Sequence, residues 1–376
     1  VIDKGGLPEV RVTGIDAALC SFPLRHPIRF GRAAYHRRDY VLVRVRTDGA
    51  TGYGAALTRD TPLLESLLPV AQRLVGSGAA AGLDTVRGLR HENVPAQAAS
   101  VRARSLADLA LWDVLSRSAG RPLAALLGCE PSRTSVELVA IAGYLIDVRG
   151  EDAVVEELTG LVERGFRQVK LMLGAREPAW MHAFLARCRQ AAGDDVALSL
   201  DLHYSVVGLE EAVALCAPLE EFGLAFIEDV FGPHRWRDLR ALAARIATPL
   251  AAGEDVVDPV AYADLLESVR LLRVDASTCG GVEDALDGIA AAGRAGTPVL
   301  PHGSPWIGAQ LAAVSPVVAA VEVAAPVDTG DRFAELCPEA RLLIEDGRLT
   351  MGADPGVDVP LDWERVEALS VRSWSL

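Results

Sequence analysis

Positive charge is what this chain has too little of: 37 lysines and arginines stand against 51 aspartates and glutamates, a formal net charge of −14 at pH 7. A surface that tracks nucleic-acid phosphates would have to work against that field, and no basic run of the needed length is present. The densest one, Arg37 and Arg38 with Arg29 and Arg32 nearby, suits a small anion better than a duplex. Paired cysteines are missing as well. The six, Cys20, Cys129, Cys188, Cys216, Cys279 and Cys337, stand apart with no CxxC and no paired histidine spacing. That excludes a disulfide scaffold or cysteine zinc site and leaves reduced, mostly buried thiols. No apolar run approaches the ~20 residues of a membrane span, and Val1 to Val10 lacks the charged-then-apolar layout of a signal peptide. The expectation is a cytoplasmic protein with no nucleic-acid and no membrane partner.

What is present is a recurring event, an apolar strand ending in a charged residue. Leu198 to Tyr204 reads LSLDLHY, and on a continuous strand Asp201 and His203 would share one face. Similar endings put Lys170 in QVKLM, Glu228 in LAFIED, Glu254 in PLAAGED, Asp275 in LLRVD, His302 in PVLPH and Glu322 after VVAAV. These residues are separated by 20 to 31 positions, room for one strand and one crossover helix each time. Helical patterns fill the gaps at 153–164, 178–192, 209–222 and 258–269, and the first three stop at or just before Gly165, Gly193 and Gly223. With 136–141 as the first strand the count reaches eight, which predicts an α/β fold built on a (β/α)8 TIM-type barrel. Active sites in such barrels lie at the strand ends, where all these residues fall.

Ahead of the barrel, residues 9–57 alternate as strands, with a turn at Asp48 and Gly49. Between the strands, SFPLRHPIRFGRAAYHRR is expected to be a lid loop over an anionic ligand, with Arg29, Arg32 and Tyr35 as substrate contacts. Residues 61–119 turn helical; Ser105 and Asp108 make a capping-box pattern, and Leu106, Leu109, Trp112 and Leu115 follow on one face. Beyond the barrel, 341–362 reads as a short β pair that packs back on the first unit. The division expected is therefore 1–128, an α+β capping domain; 129–330, the barrel; and 331–376, a tail that completes the cap.

Asp201, Glu228 and Glu254 are three carboxylates on three successive strands. All-oxygen, multiply anionic ligation favours Mg2+, with Mn2+ also possible. Asp275 precedes His302 by one strand, so the two can hydrogen-bond, while Lys170 and His203 face them across the mouth. A cation flanked by basic groups is what removal of a proton next to a carboxylate requires. Trp306, just after PHGSP, adds apolar surface near the mouth as a fourth substrate contact.

The stretches ADLALWDVLSRSAGRPLAALLG, GFRQVKLMLG, LSLDLHY, AFIEDV, PLAAGED, RVDASTCGGVEDAL and PHGS together resemble the enolase superfamily, in its mandelate racemase and muconate lactonizing enzyme subgroup. The resemblance implies Mg2+ on Asp201, Glu228 and Glu254, and a small carboxylic acid as substrate. Members that racemise carry KxK on the second strand; here Lys170 is followed by Leu171 and Met172, so the second lysine is absent. His203 stands where many relatives have asparagine, a pattern similar to galactonate and mannonate dehydratases. It implies His302 with Asp275 as base, His203 as acid, and Lys170 with Glu322 holding the substrate carboxylate. Two further departures are Glu228-Asp229-Val230 in place of the usual Glu-Glu-Pro, and Asp255 directly after Glu254. The function expected is dehydration of an acid sugar or similar hydroxy acid. Racemisation or epimerisation, and carboxylate binding without turnover, are the alternatives. A homo-oligomer is expected.

Overall fold

A computed structural model describes residues 4–31, 33–92, 97–129, 133–352 and 354–376. The chain opens with three strands, β1 (Val12–Phe30), β2 (Ala33–Thr47) and β3 (Thr51–Leu57), paired antiparallel. Residues 21–30 and 33–38 are therefore strand rather than loop: they form the far end of a long hairpin whose register slips between Pro23 and Ile28. Pro23 and Pro27 carry no amide hydrogen, so this is the segment least able to keep a continuous ladder. The hairpin turns at Gly31, which has φ +56; a Cβ there would lie 3.1 Å from the carbonyl oxygen of Tyr204.

Helices 63–74 and 97–119 cover the β1–β3 sheet, and helix 79–88 packs on both of them. Leu106, Leu109, Trp112 and Leu115 are fully buried on helix 97–119. It approaches β3 so closely that a Cβ on Gly52 would sit 2.4 Å from the Val114 nitrogen. Ser105 and Asp108 do not cap a helix start, because the helix begins eight residues earlier at Gln97. Both are interior side chains that hold another element: Ser105 Oγ accepts the Gly280 N–H at 2.9 Å, and Asp108 Oδ1 accepts that of Val282 at 2.7 Å.

The barrel strands follow: β4 (Ser135–Ala142), β5 (Gln168–Met172), β6 (Ala197–Asp201), β7 (Ile227–Glu228), β8 (Leu250–Ala252), β9 (Leu271–Val274), β10 (Val299–Pro301) and β11 (Ala320–Ala324). Neighbours from β4 to β10 pair in parallel in chain order, and β11 returns to pair with β4. Between β10 and β11 a single bridge, Val299 to Val318, joins the two sides, with the Val299 amide donating to the Val317 oxygen at 2.9 Å. The fold is a capping domain with a (β/α)8 barrel. The stretch 209–222 is helical to Cys216 and then tightens to a 3-10 turn over Ala217–Phe222, where Pro218 cannot donate to the α-helical ladder.

The tail divides. A hairpin of β12 (Leu343–Glu345) and β13 (Arg348–Thr350) pairs antiparallel with the start of β4, so this β pair packs on the barrel rather than on the first unit. Leu349 is buried there. The remainder reaches the cap: Val357 donates to Asp113 Oδ1 at 2.7 Å, and β14 (Ser370–Ser375) pairs antiparallel with β1. The six cysteines form no disulfide, and five are buried. Among the described residues, no helix is long and apolar enough to cross a membrane.

Candidate active site

Seven charged residues meet at the C-terminal ends of the barrel strands. Lys170 on β5 is the hub. Its Nζ lies 2.5 Å from Glu322 Oε1 on β11, 2.9 Å from Glu228 Oε2 at the end of β7, and 3.4 Å from Asp201 Oδ2 at the end of β6. All four side chains are buried. Arg273 on β9, fully buried, completes this group: its Nε donates to Glu228 Oε1 at 2.8 Å, another of its nitrogens pairs with Glu322, and a third donates to the Leu300 carbonyl at 2.9 Å. Arg273 lies inside β9, away from the strand-end positions where the other charges fall. The available signal was an arginine inside the apolar run LLRVD, two positions before Asp275 and so on the same face.

On the other side of the mouth, His302 Nδ1 lies 2.8 Å from Asp275 Oδ2, and its Nε2 lies 3.3 Å from Glu254 Oε2. Asp275 is held in place by the Ser277 amide at 2.7 Å and hydroxyl at 2.6 Å. The cap supplies Arg59, just past β3, whose Nη2 is 3.2 Å from Glu254 Oε1. Asp255 has a holding job: it accepts from Arg102 at 2.7 Å and from the Tyr204 hydroxyl at 3.1 Å, tying helix 97–119 to the β6 loop.

His203 reaches the site by a different route from the strand pleat. β6 ends at Asp201, and His203 lies in the following turn with φ +48. Its amide donates to Asp201 Oδ1 at 2.9 Å, and its Nε2 lies 3.3 Å from Asp201 Oδ2. The hairpin tip of the cap closes over it, with His203 Nδ1 3.3 Å from the Arg29 carbonyl oxygen. Arg29 thus meets the site through its backbone. Tyr35 lines a small surface depression with Arg37 and Asp39, Trp306 lies in the wall of the main cavity, and Arg32 lies outside the described residues. That cavity, about 630 Å³, opens over Lys170, Asp201, His203, Glu254, Asp275, His302 and Glu322.

Burial and charge pull the titratable groups apart. Burial pushes the Glu228 carboxyl up, to about 7, against the pull of Arg273 and Lys170. Asp201 resists burial and is held well below the usual carboxylate range by His203 and Lys170. Burial alone would lower the His302 imidazole, but Glu254 and the Asp275 hydrogen bond more than offset it and raise it. Asp229, buried at φ +51 beside Glu228, is raised well above the usual carboxylate range by burial and then by Glu254 and Glu228; among the described residues its Oδ2 has no hydrogen-bond partner. Glu228, Asp229 and Glu254 offer oxygens within 4.8 Å of one another, while Asp201 meets Glu228 through adjacent strand ends. A buried, all-oxygen set with an orphaned carboxylate oxygen fits a hard divalent cation.

The chain matches two family models, "Mandelate racemase / muconate lactonizing enzyme, N-terminal domain" over residues 15–128 and "Enolase C-terminal domain-like" over residues 153–366. A D-galactonate dehydratase family member from Catenulispora acidiphila is 28% identical, the match covering 87% of this chain and 84% of that one. Muconate cycloisomerase 1 from Rhodococcus opacus is 26% identical, covering 98% and 100%. An N-succinylamino acid racemase from Amycolatopsis is 25% identical, covering 97% and 99%. Among solved structures, L-talarate dehydratase from Polaromonas, complexed with Mg and L-glucarate, superposes with a TM-score of 0.83 at 25% identity, covering 98% of this chain and 99% of that one. The chain belongs to the mandelate racemase and muconate lactonizing enzyme family of the enolase superfamily. It is an enzyme of the lyase or isomerase kind found there.

Proposed function

We propose that this family member removes the proton next to the carboxylate of a hydroxy acid and expels the C3 hydroxyl as water, with Mg2+ held by Asp201, Glu228 and Glu254. The observation that carries the reading is the pair His302 Nδ1 and Asp275 Oδ2 at 2.8 Å in a cavity that also holds His203. With Nδ1–H given to Asp275, the Nε2 lone pair of His302 faces the cavity as the base for the C2 proton. Met172, also in the wall, has no titratable group, so no second lysine base stands at that position. His203, on the β6 turn, is the acid for the departing hydroxyl. Lys170, kept charged by Glu228 and Glu322 against the cost of burial, attracts the substrate carboxylate. Held by Asp201, Glu228 and Glu254, Mg2+ would supply positive charge where negative charge builds up as the C2 proton leaves.

A second reading, racemisation or epimerisation, is favoured by the two imidazoles lining one cavity from the turns after two different strands. One experiment separates them. The Mg2+-loaded protein is incubated in D2O with a panel of 2,3-dihydroxy acids, including acid sugars. Release of 2-keto-3-deoxy acid is the expected result. Deuterium at C2 of inverted substrate without loss of water points to racemisation, and absence of both product and exchange across the panel removes proton abstraction altogether.

A further inference from the structure

The proposed proton abstraction leaves open which acid is used, and the cavity wall addresses that while resting on the same reading. The residues assigned to the proton chemistry belong to the barrel strands or the turns directly after them, while Arg38, Arg59 and Arg102 enter the cavity from the cap. A second wall is built beyond the end of β11 and from the tail, by Val327, Phe333, Leu342 and Val359, with Trp306 from the first turn of helix 305–314. Trp306 packs with Tyr53, Ala55 and Phe333 against the buried cluster around Leu336 and Trp363. This wall is apolar by construction.

Polar groups beside it are already engaged. The Tyr40 hydroxyl donates to Asp331 Oδ2 at 2.5 Å, and the Tyr40 ring rests on Phe333 with centroids 4.6 Å apart. Asp331 Oδ1 accepts the Phe333 amide at 3.0 Å. Ser304 donates to Asp358 Oδ1 at 2.8 Å, which also takes the Val359 amide at 2.7 Å, while Asp358 Oδ2 takes that of Ala55 at 3.2 Å. A chain of hydroxyls laid along this wall would lose its water and meet polar groups already committed in large part to one another. An apolar group would bury its surface there without that penalty. The volume of about 630 Å³ leaves room for it beyond the carboxylate and the C2–C3 unit.

We infer that the substrate is a 2,3-dihydroxy acid whose C3 carries an aryl or branched alkyl group rather than a polyol. Loss of the C2 proton and the C3 hydroxyl as one water, then proton return to C3, converts R–CH(OH)–CH(OH)–COO⁻ to R–CH2–CO–COO⁻. Arg38, from β2, also lines the cavity, and a second substrate carboxylate is the chemistry that would use it. A hydroxylated dicarboxylate is therefore the competing probe.

The test compares the Mg2+-loaded protein on the diastereomers of 2,3-dihydroxy-3-phenylpropanoate, on galactonate and on glucarate, with C2 exchange in D2O followed for each. In parallel, calorimetry compares the unreactive 3-phenylpropanoate with glutarate. Expected are a kcat/KM for one phenyl diastereomer at least ~10-fold above both sugar acids and tighter binding of 3-phenylpropanoate. Trp306→Ser should erase most of that preference; Val327→Asn serves if the first variant does not fold. Preference for galactonate or glucarate, with exchange intact, overturns the inference and leaves the proton-abstraction reading standing. Absence of exchange with every acid overturns that reading, and the calorimetric comparison then decides the apolar wall alone: tighter glutarate overturns it, tighter 3-phenylpropanoate upholds it.

Discussion

His302 and Asp275 come from adjacent strands 27 positions apart in sequence, yet Nδ1 and Oδ2 meet at 2.8 Å with the carboxylate itself clamped by Ser277. That clamp orients the ring and, together with Glu254, raises its basicity. Asp275→Asn should lower kcat by ~10²–10⁴, the usual contribution of a positioned base, with KM little changed. Steady-state kinetics on the best substrate from the acid panel checks it. A raised KM at unchanged kcat would assign the pair to binding instead.

The two histidines should fail differently. His302→Asn is expected to abolish both dehydration and C2 exchange, whereas His203→Asn should stop dehydration and leave exchange, because His302 still takes the C2 proton while Lys170 holds the carboxylate. Proton NMR in D2O reads exchange, and keto-acid release reads dehydration. Equal loss of exchange in both variants would make His203 the base.

Cation binding should appear in melting curves without any turnover. Mg2+ at a hundredfold excess over its Kd stabilises a folded protein that alone binds it by about 2.7 kcal/mol, and EDTA should reverse the rise in Tm. Asp201→Asn is expected to abolish the Mg2+-dependent rise, and Asp229→Asn to reduce it less. The opposite order would move the third ligand to Asp229, which already lies within 4.8 Å of Glu228 and Glu254 oxygens.

Arg273 has no exposure to solvent and faces both Glu228 and Glu322. Arg273→Met leaves two buried carboxylates with Lys170 as their remaining cation, and removing one partner of a buried pair costs about 3–5 kcal/mol. Tm should fall by several degrees, with part of the loss recovered in the double variant Arg273→Met, Glu322→Leu. An unchanged Tm in the single variant would show that the charges are already balanced without the guanidinium.

Stability should also record Asp108. Burial, with Glu283 and Asp284 nearby, pushes its carboxyl up to about 8 although the Val282 amide opposes the shift. In the unfolded chain it ionises near ~4. Between those values the folded state keeps a proton that the unfolded state has released, so this group's contribution falls as pH rises through the window and levels off above it. Asp108→Asn keeps an acceptor for Val282 and does not titrate. Urea unfolding from pH 5 to 8 should show the variant gaining on the parent, by on the order of a few kcal/mol. Parallel profiles would refute the burial of an ionisable carboxyl there.

Legibility followed the range of the interaction. The barrel could be read because each strand is a local apolar run and each helix stop a local glycine. Charged residues closing those runs had to gather at one mouth once the order β4 to β11 closed. The expected lid loop was misread because Pro, Gly and Arg look alike in a loop and in an irregular hairpin; pairing with β1, a non-local fact, made residues 33–38 a strand. Ser105 and Asp108 look like a cap in sequence, and only the approach of Gly280 and Val282 explains them.

The amino-acid order by itself determined the strand count, the acidic field and the set Lys170, Asp201, Glu228, Glu254, Asp275, His302 and Glu322 as strand-end charges. Each of those follows from a residue's type and its spacing along one strand or helix. Tertiary structure decided which charges touch: Arg273 between Glu228 and Glu322, Arg59 on Glu254, and His203 turned back onto Asp201 by a left-handed residue. Those pairings depend on how the barrel closes and where the cap lands, and closure is a relation among eight strands that no single stretch of chain contains.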